Sequence, residues 1–127
     1  MEVCAMSEES QETAKANGDW GEERAKEILS KSFPEIKHIS ETIDFMTQTG
    51  IPIEVKTCQE SVNTQPRPRQ GRYILDPLQH EILLKKEGYY FFLVKAGPWL
   101  IRAKLVRASE VEYKRQINWR PIHAKQI

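Results

Sequence analysis

Two short segments that alternate apolar and polar side chains, residues 42–47 and 51–58, are separated by Gln48-Thr49-Gly50. This arrangement constrains the fold more than any other feature of the chain. Alternation over four to eight residues is the period of a half-buried strand. A three-residue loop whose glycine takes the left-handed position joins such strands into a hairpin with a bulge and sets their register. Asp44 and Glu54 are equidistant from Thr49, so their carboxylates lie opposite one another. Side chains two apart share a face, which adds Lys56 to the pair. Ile43, Phe45, Ile53 and Val55 then point to the other face as core. A two-residue turn would shift the register by one and separate the two acids.

Around the hairpin the pattern predicts helix, three strands, helix, strand, strand, helix. Residues 7–16 form a weak helical pattern stopped by Asn17-Gly18. Asp19 caps a second helix to about Ser32, whose small or apolar face holds Gly21, Ala25, Ile28, Leu29 and Ser32, and Pro34 ends it. Residues 35–40 supply a strand before the hairpin, making a meander. Residues 60–72, with Asn63, Pro66, Pro68, Gly71 and three arginines, read as an exposed loop. Asp76-Pro77 opens a helix with Leu78, Ile82 and Leu83 at core spacing, closed by Gly88. Residues 89–95 lack strict alternation, as a strand buried on both faces would, and residues 99–105 alternate again after Ala96-Gly97-Pro98. Ser109 and Glu112 suggest a short capped helix to about Gln116, and nothing is assigned beyond it. The order implies an α/β layered domain with a mixed sheet, one domain over residues 1–127.

Length and composition bound the function. A chain of 127 residues suffices for one ordinary domain, and a mean hydropathy of −0.59 with no apolar run longer than residues 89–94 predicts no membrane span. The first twelve residues hold four glutamates and no Lys or Arg, unlike a secretory signal. Cys4 and Cys58 are too few for a disulfide framework or a thiolate zinc site, which suggests a reducing, cytoplasmic setting. The net charge of +1 conceals an acidic front, with 6 basic against 13 acidic residues in 1–60, and a basic back, with 13 against 5 in 61–127. Such a chain could bind a metal with one part and phosphate with the other, or simply present two solvated faces.

Two carboxylates and an ammonium converging on one sheet face have a specific chemical use. Asp44 and Glu54, helped by the Val55 carbonyl, suit a hard cation such as Mg²⁺, and Lys56 can orient an attacking water during phosphodiester hydrolysis. The alternative is a cross-strand ion pair worth roughly 0.2–1 kcal/mol.

In this pattern the chain resembles the PD-(D/E)XK nuclease superfamily, whose αβββαβ core is that of restriction endonucleases and archaeal Holliday-junction resolvases. The resemblance covers about residues 17–104, leaving 105–127 as a C-terminal helix and tail. Asp44 matches the motif aspartate, Glu54 its second acid and Lys56 its lysine, while Ile43 stands where the family name has proline. The family also places a glutamate on the first helix. Glu22 falls on the wheel beside Ala25 and Leu29, whereas Glu23 points away, so Glu22 is the candidate. The alternative for Glu22 is a capping box with Asp19. Gln79 resembles a glutamine that related nucleases carry on the second helix, although it also stands three residues after Asp76, as a capping partner would. The resemblance implies a DNA endonuclease using Mg²⁺, with Mn²⁺ as substitute, and a homodimer. A catalytically silent DNA-binding or assembly module of the same fold is the alternative.

The basic stretch after the active strand contains Arg67, Arg69, Arg72 and Tyr73, candidates for contact with a nucleic-acid backbone because arginine forks match phosphate. His38, His80 and His123 lack metal-ligand spacing among themselves, and His80 reads as a surface residue or one that supports the site. Trp99 and Trp119 read as core or dimer contacts.

Overall fold

The computed structural model describes residues 2–39, 42–62 and 67–124, with side chains from Ala16 onward. Its first element is one continuous helix, α1 (Glu2–Ser32). The predicted break at Asn17-Gly18 does not occur. Asn and Gly cost at most about 1 kcal/mol each inside a helix, and the Asn17 side chain is engaged by a residue remote in sequence, accepting a hydrogen bond from Lys95 Nζ at 3.3 Å.

Three strands follow, β1 (Lys37–His38), β2 (Phe45–Met46) and β3 (Pro52–Gln59). The connection between the last two has the predicted form. Thr47 N–H donates to the Ile51 carbonyl at 3.0 Å, Gly50 N–H donates to the Thr47 carbonyl at 3.0 Å, and Gly50 has φ +86°. The regular pairing is shorter than expected, since β2 pairs β3 only at Phe45↔Ile53 and Met46↔Pro52. Residues 60–72 are likewise not the exposed loop expected. β4 (Ser61–Val62) pairs antiparallel with β5 (Arg69–Gln70), and β6 (Arg72–Ile74) pairs with β9 (Gln116–Asn118); the predicted turn residues Asn63 and Pro66 lie outside the described residues.

Helix α2 (Pro77–Lys85) leads into β7 (Tyr89–Ala96), which runs parallel to β3, and β8 (Trp99–Arg107) returns antiparallel. The main sheet thus has the order β1-β2-β3-β7-β8 with one parallel pairing. This is the mixed sheet, in the αβββαβ order, of a restriction-endonuclease-like core. After β8, one 3₁₀ turn (Ala108–Glu110) replaces the predicted capped helix, and α3 (Trp119–Ala124) follows β9.

β7 is buried on both faces, as its sequence requires. On one side Phe91 and Leu93 join Ala25, Leu29, Phe45, Ile53 and Val55 beneath α1. On the other, Tyr90, Phe92 and Val94 join Tyr73, Leu83 and Trp119. Ile43 falls in this second cluster rather than beside Phe45, because it precedes β2 and is not held to that strand's alternation. Leu78 is 67% exposed, so α2 packs through Leu83 and His80 instead. His80 is buried against Tyr90, its Nδ1 2.8 Å from the Tyr90 hydroxyl, rather than at the surface. Trp119 is core as predicted, whereas Trp99, at the β7–β8 turn, is 72% exposed. Among the described residues no helix is long and apolar enough to cross a membrane.

Candidate active site

Beyond Phe45 the strands β2 and β3 part, and the backbone groups there lose their ladder partners. Two carboxylates take their place. Asp44 N–H donates to Glu54 Oε1 at 3.0 Å, and Val55 N–H donates to Asp44 Oδ2 at 2.9 Å. The N–H and C=O of one strand residue point the same way, so the Val55 carbonyl faces the same opening. Asp44 is 7% and Glu54 4% exposed. The two acids lie opposite one another, as the three-residue loop requires, and in a buried setting rather than on a solvated face.

Lys56 lies next to this pair. Its Nζ is 3.4 Å from Glu54 Oε2 and donates to Gln79 Oε1 at 2.9 Å. Gln79 also donates through Nε2 to the Thr42 carbonyl at 2.6 Å. Helix α2 is capped by the Asp76 carboxylate, which accepts from Gln79 N–H at 2.9 Å. The cap therefore uses only the main chain of Gln79, and its side chain goes to Lys56 instead of closing a capping box.

Glu22 arrives from α1. A glycine precedes it because the helix lies directly on β3, where a Cβ at Gly21 would overlap the Thr57 hydroxyl. Since α1 is unbroken, Asp19 is no N-cap and the capping-box alternative for Glu22 disappears. Glu23 is exposed, as the wheel predicts, and pairs with Arg24. Glu22 Oε2 stands 3.8 Å from His38 Nε2, and ligand atoms of Glu22, His38 and Asp44 all lie within 4.8 Å of one another. Sequence reasoning missed His38. It sits one strand before the hairpin, at a register (His38↔Phe45) that no local pattern specifies.

Crowding and burial move these acids toward protonation. Burial, then hydrogen bonding and repulsion from Asp44, push Glu22 up to about 7. Burial and the Glu54 charge push Asp44 up to about 6. Burial also raises Glu54, opposed by Lys56. Desolvated carboxylates with a backbone carbonyl form a donor set for which a divalent cation is the natural counter-charge, so the residues present fit such an ion.

The basic candidates are more scattered. Arg67 and Arg72 are exposed, and Arg69 is half-buried, donating to the Gln70 carbonyl. Arg72 lines an open pocket with Lys114, Gln116 and Asn118. Tyr73 is 1% exposed, and its hydroxyl donates to the Leu93 carbonyl at 3.1 Å. It is a core residue, which corrects the expectation that it touches nucleic acid. Cys58, also buried, has its thiol pushed up to about 12 by burial and is no nucleophile.

Compared with known proteins, residues 8–126 match the family model of the PD-(D/E)XK nuclease superfamily domain. Neither the curated proteins nor the solved structures compared with the chain include a match.

Proposed function

The chain belongs to the PD-(D/E)XK nuclease superfamily, and from that premise we propose that it is a divalent-metal-dependent endonuclease hydrolysing DNA phosphodiester bonds. The observation that carries this reading is the closed set of contacts from Val55 to Asp44, Asp44 to Glu54 and Lys56 to both Glu54 and Gln79. A surface ion pair would not need both acids buried and backbone-bonded.

Asp44, Glu54 and the Val55 carbonyl would hold Mg²⁺, or Mn²⁺ in its place, which supplies positive charge at the phosphoryl oxygen and lowers the pKa of water. The residues of the chain do the rest. Lys56 has three N–H donors, and with Glu54 and Gln79 as partners one remains for the attacking water or the phosphate. Gln79 limits the rotation of that ammonium, and Glu22 accepts a hydrogen bond from water at the edge of the site. Water oxygen bonds to phosphorus as the bond to the leaving sugar oxygen breaks, the proton of the attacking water passing to solvent and the departing oxygen taking one from solvent. Arg67, Arg69 and Arg72 contribute positive charge toward the DNA backbone. A homodimer in a cytoplasmic setting would present two such sites to a duplex, and analytical ultracentrifugation with and without DNA reads that stoichiometry.

The test is cleavage of labelled linear, nicked and four-way-junction DNA with Mg²⁺ or Mn²⁺, against EDTA and Glu54→Ala. Metal-dependent cutting lost in the variant supports the nuclease. Tight DNA binding without cutting, unchanged by EDTA, replaces it with the silent binding module.

A further inference from the structure

The residues assigned above leave His38 without a role, although its ring nitrogen converges on the same opening. We propose that His38 is a further ligand of the cation held at Asp44, making the site a mixed nitrogen–oxygen centre that favours first-row transition ions over Mg²⁺. The inference rests on the nuclease reading only for the presence of a cation at Asp44.

Three observations carry it. First, the donor atoms of Glu22, His38 and Asp44 lie within 4.8 Å of one another. An octahedral ion with bonds of about 2.1 Å spans about 4.2 Å between opposite ligands, so small side-chain rotations close the set. Second, the members differ in freedom. Asp44 is pinned by the Val55 amide, whereas Glu22, already hydrogen-bonded to Asp44, and the exposed His38 can shift onto a shared ion. Third, His38 meets Glu22 at ion-pair range without a hydrogen bond between them. Its Nε2 stands 3.8 Å from Glu22, beyond hydrogen-bond length, while its ring is steadied edge-on against Phe45 at 5.5 Å. An imidazole nitrogen is a good donor for Co²⁺, Ni²⁺ or Zn²⁺ and a poor one for Mg²⁺, which prefers oxygen and water.

The experiment titrates the full chain, without nucleic acid, with Co²⁺ alone and with Mg²⁺ alone by calorimetry, and records the visible absorption of bound Co²⁺. The variants are His38→Ala, His38→Gln and Asp44→Asn. Expected are Co²⁺ binding at least tenfold tighter than Mg²⁺, a tenfold or greater loss of Co²⁺ affinity in both His38 variants with an altered Co²⁺ spectrum, and less than a twofold change for Mg²⁺. Unchanged Co²⁺ affinity in the His38 variants, or equal losses for both ions, overturns the ligand assignment. If Asp44→Asn then still abolishes binding of both ions, the nuclease reading survives and only His38 ligation falls. Failure of the wild-type chain to bind either ion removes both.

Discussion

Gln79 holds the Lys56 ammonium at 2.9 Å while its own main-chain N–H closes the cap of α2. One residue thus couples the start of a helix to the charged end of β3, and it does so with two different groups. Helix formation and site assembly are separable at this position.

Gln79→Ala should therefore leave the fold nearly unchanged and lower kcat by about 10- to 100-fold, because Lys56 loses its orienting partner. KM for DNA should change little, since the arginines proposed to meet the DNA backbone do not depend on this contact. Single-turnover cleavage beside far-ultraviolet circular dichroism reads the two quantities. A comparable rise in KM, or a loss of helix, would show that the side chain supports binding or the cap instead.

Asp44→Asn should stabilise the cation-free protein at pH 8. Burial and Glu54 raise the Asp44 pKa from 3.8 to about 6. The protonated form is thus the one the fold prefers, and this contribution is complete below pH 3.8 and lost as the pH rises through about 6. At pH 8 the charged group costs on the order of 2 kcal/mol, and a neutral amide removes that cost. Thermal melts in EDTA should show the variant about 5 °C more stable at pH 8 and equal to the wild type near pH 4. A variant less stable at pH 8 would mean that the Val55 contact outweighs the charge.

Gly21→Ala should destabilise the protein by about 1–3 kcal/mol, because the new methyl overlaps the Thr57 hydroxyl. Thr57→Ala in the same chain removes the overlapping atom and should recover part of the loss. Urea titration of the two single variants and the double variant gives the coupling. Purely additive losses would place the strain elsewhere.

Acid should weaken the second core through His123. Its Nε2 lies 2.9 Å from the Tyr73 hydroxyl, and burial, followed by Lys104 and Arg102, lowers its pKa from 6.5 to about 4. The neutral ring is the form the fold prefers. Its contribution is complete above pH 6.5 and lost as the pH falls through about 4. His123→Gln keeps a hydrogen-bonding group and does not titrate, so its Tm should fall less between pH 6.5 and 4 than that of the wild type. Parallel melting curves would exclude the residue.

Local chemistry made several features legible in advance. Alternation and Gly50 specified the hairpin and the opposition of Asp44 and Glu54, and the helical wheel separated Glu22 from Glu23. Residues 89–95, apolar without alternation, read correctly as a strand with two covered faces. Other features depend on partners remote in sequence. Asn17-Gly18 carries a stop signal, but Lys95 holds Asn17 within the helix. The side chain of Gln79 had a local destination, the cap, and a distant one, Lys56, and only packing chose between them.

What the sequence determined by itself is the register of a three-residue hairpin and the alternation of its faces, because backbone geometry and a left-handed glycine act over a few residues. The αβββαβ order follows from the same local periods. What the tertiary structure decided is which polar groups lose water together. The parting of β2 from β3, the approach of α1 over Gly21 and the placement of β1 bring Glu22, His38 and Asp44 to one opening, and the same packing seals Tyr73 inside. Desolvation and convergence are properties of packed elements, and no window of sequence contains them.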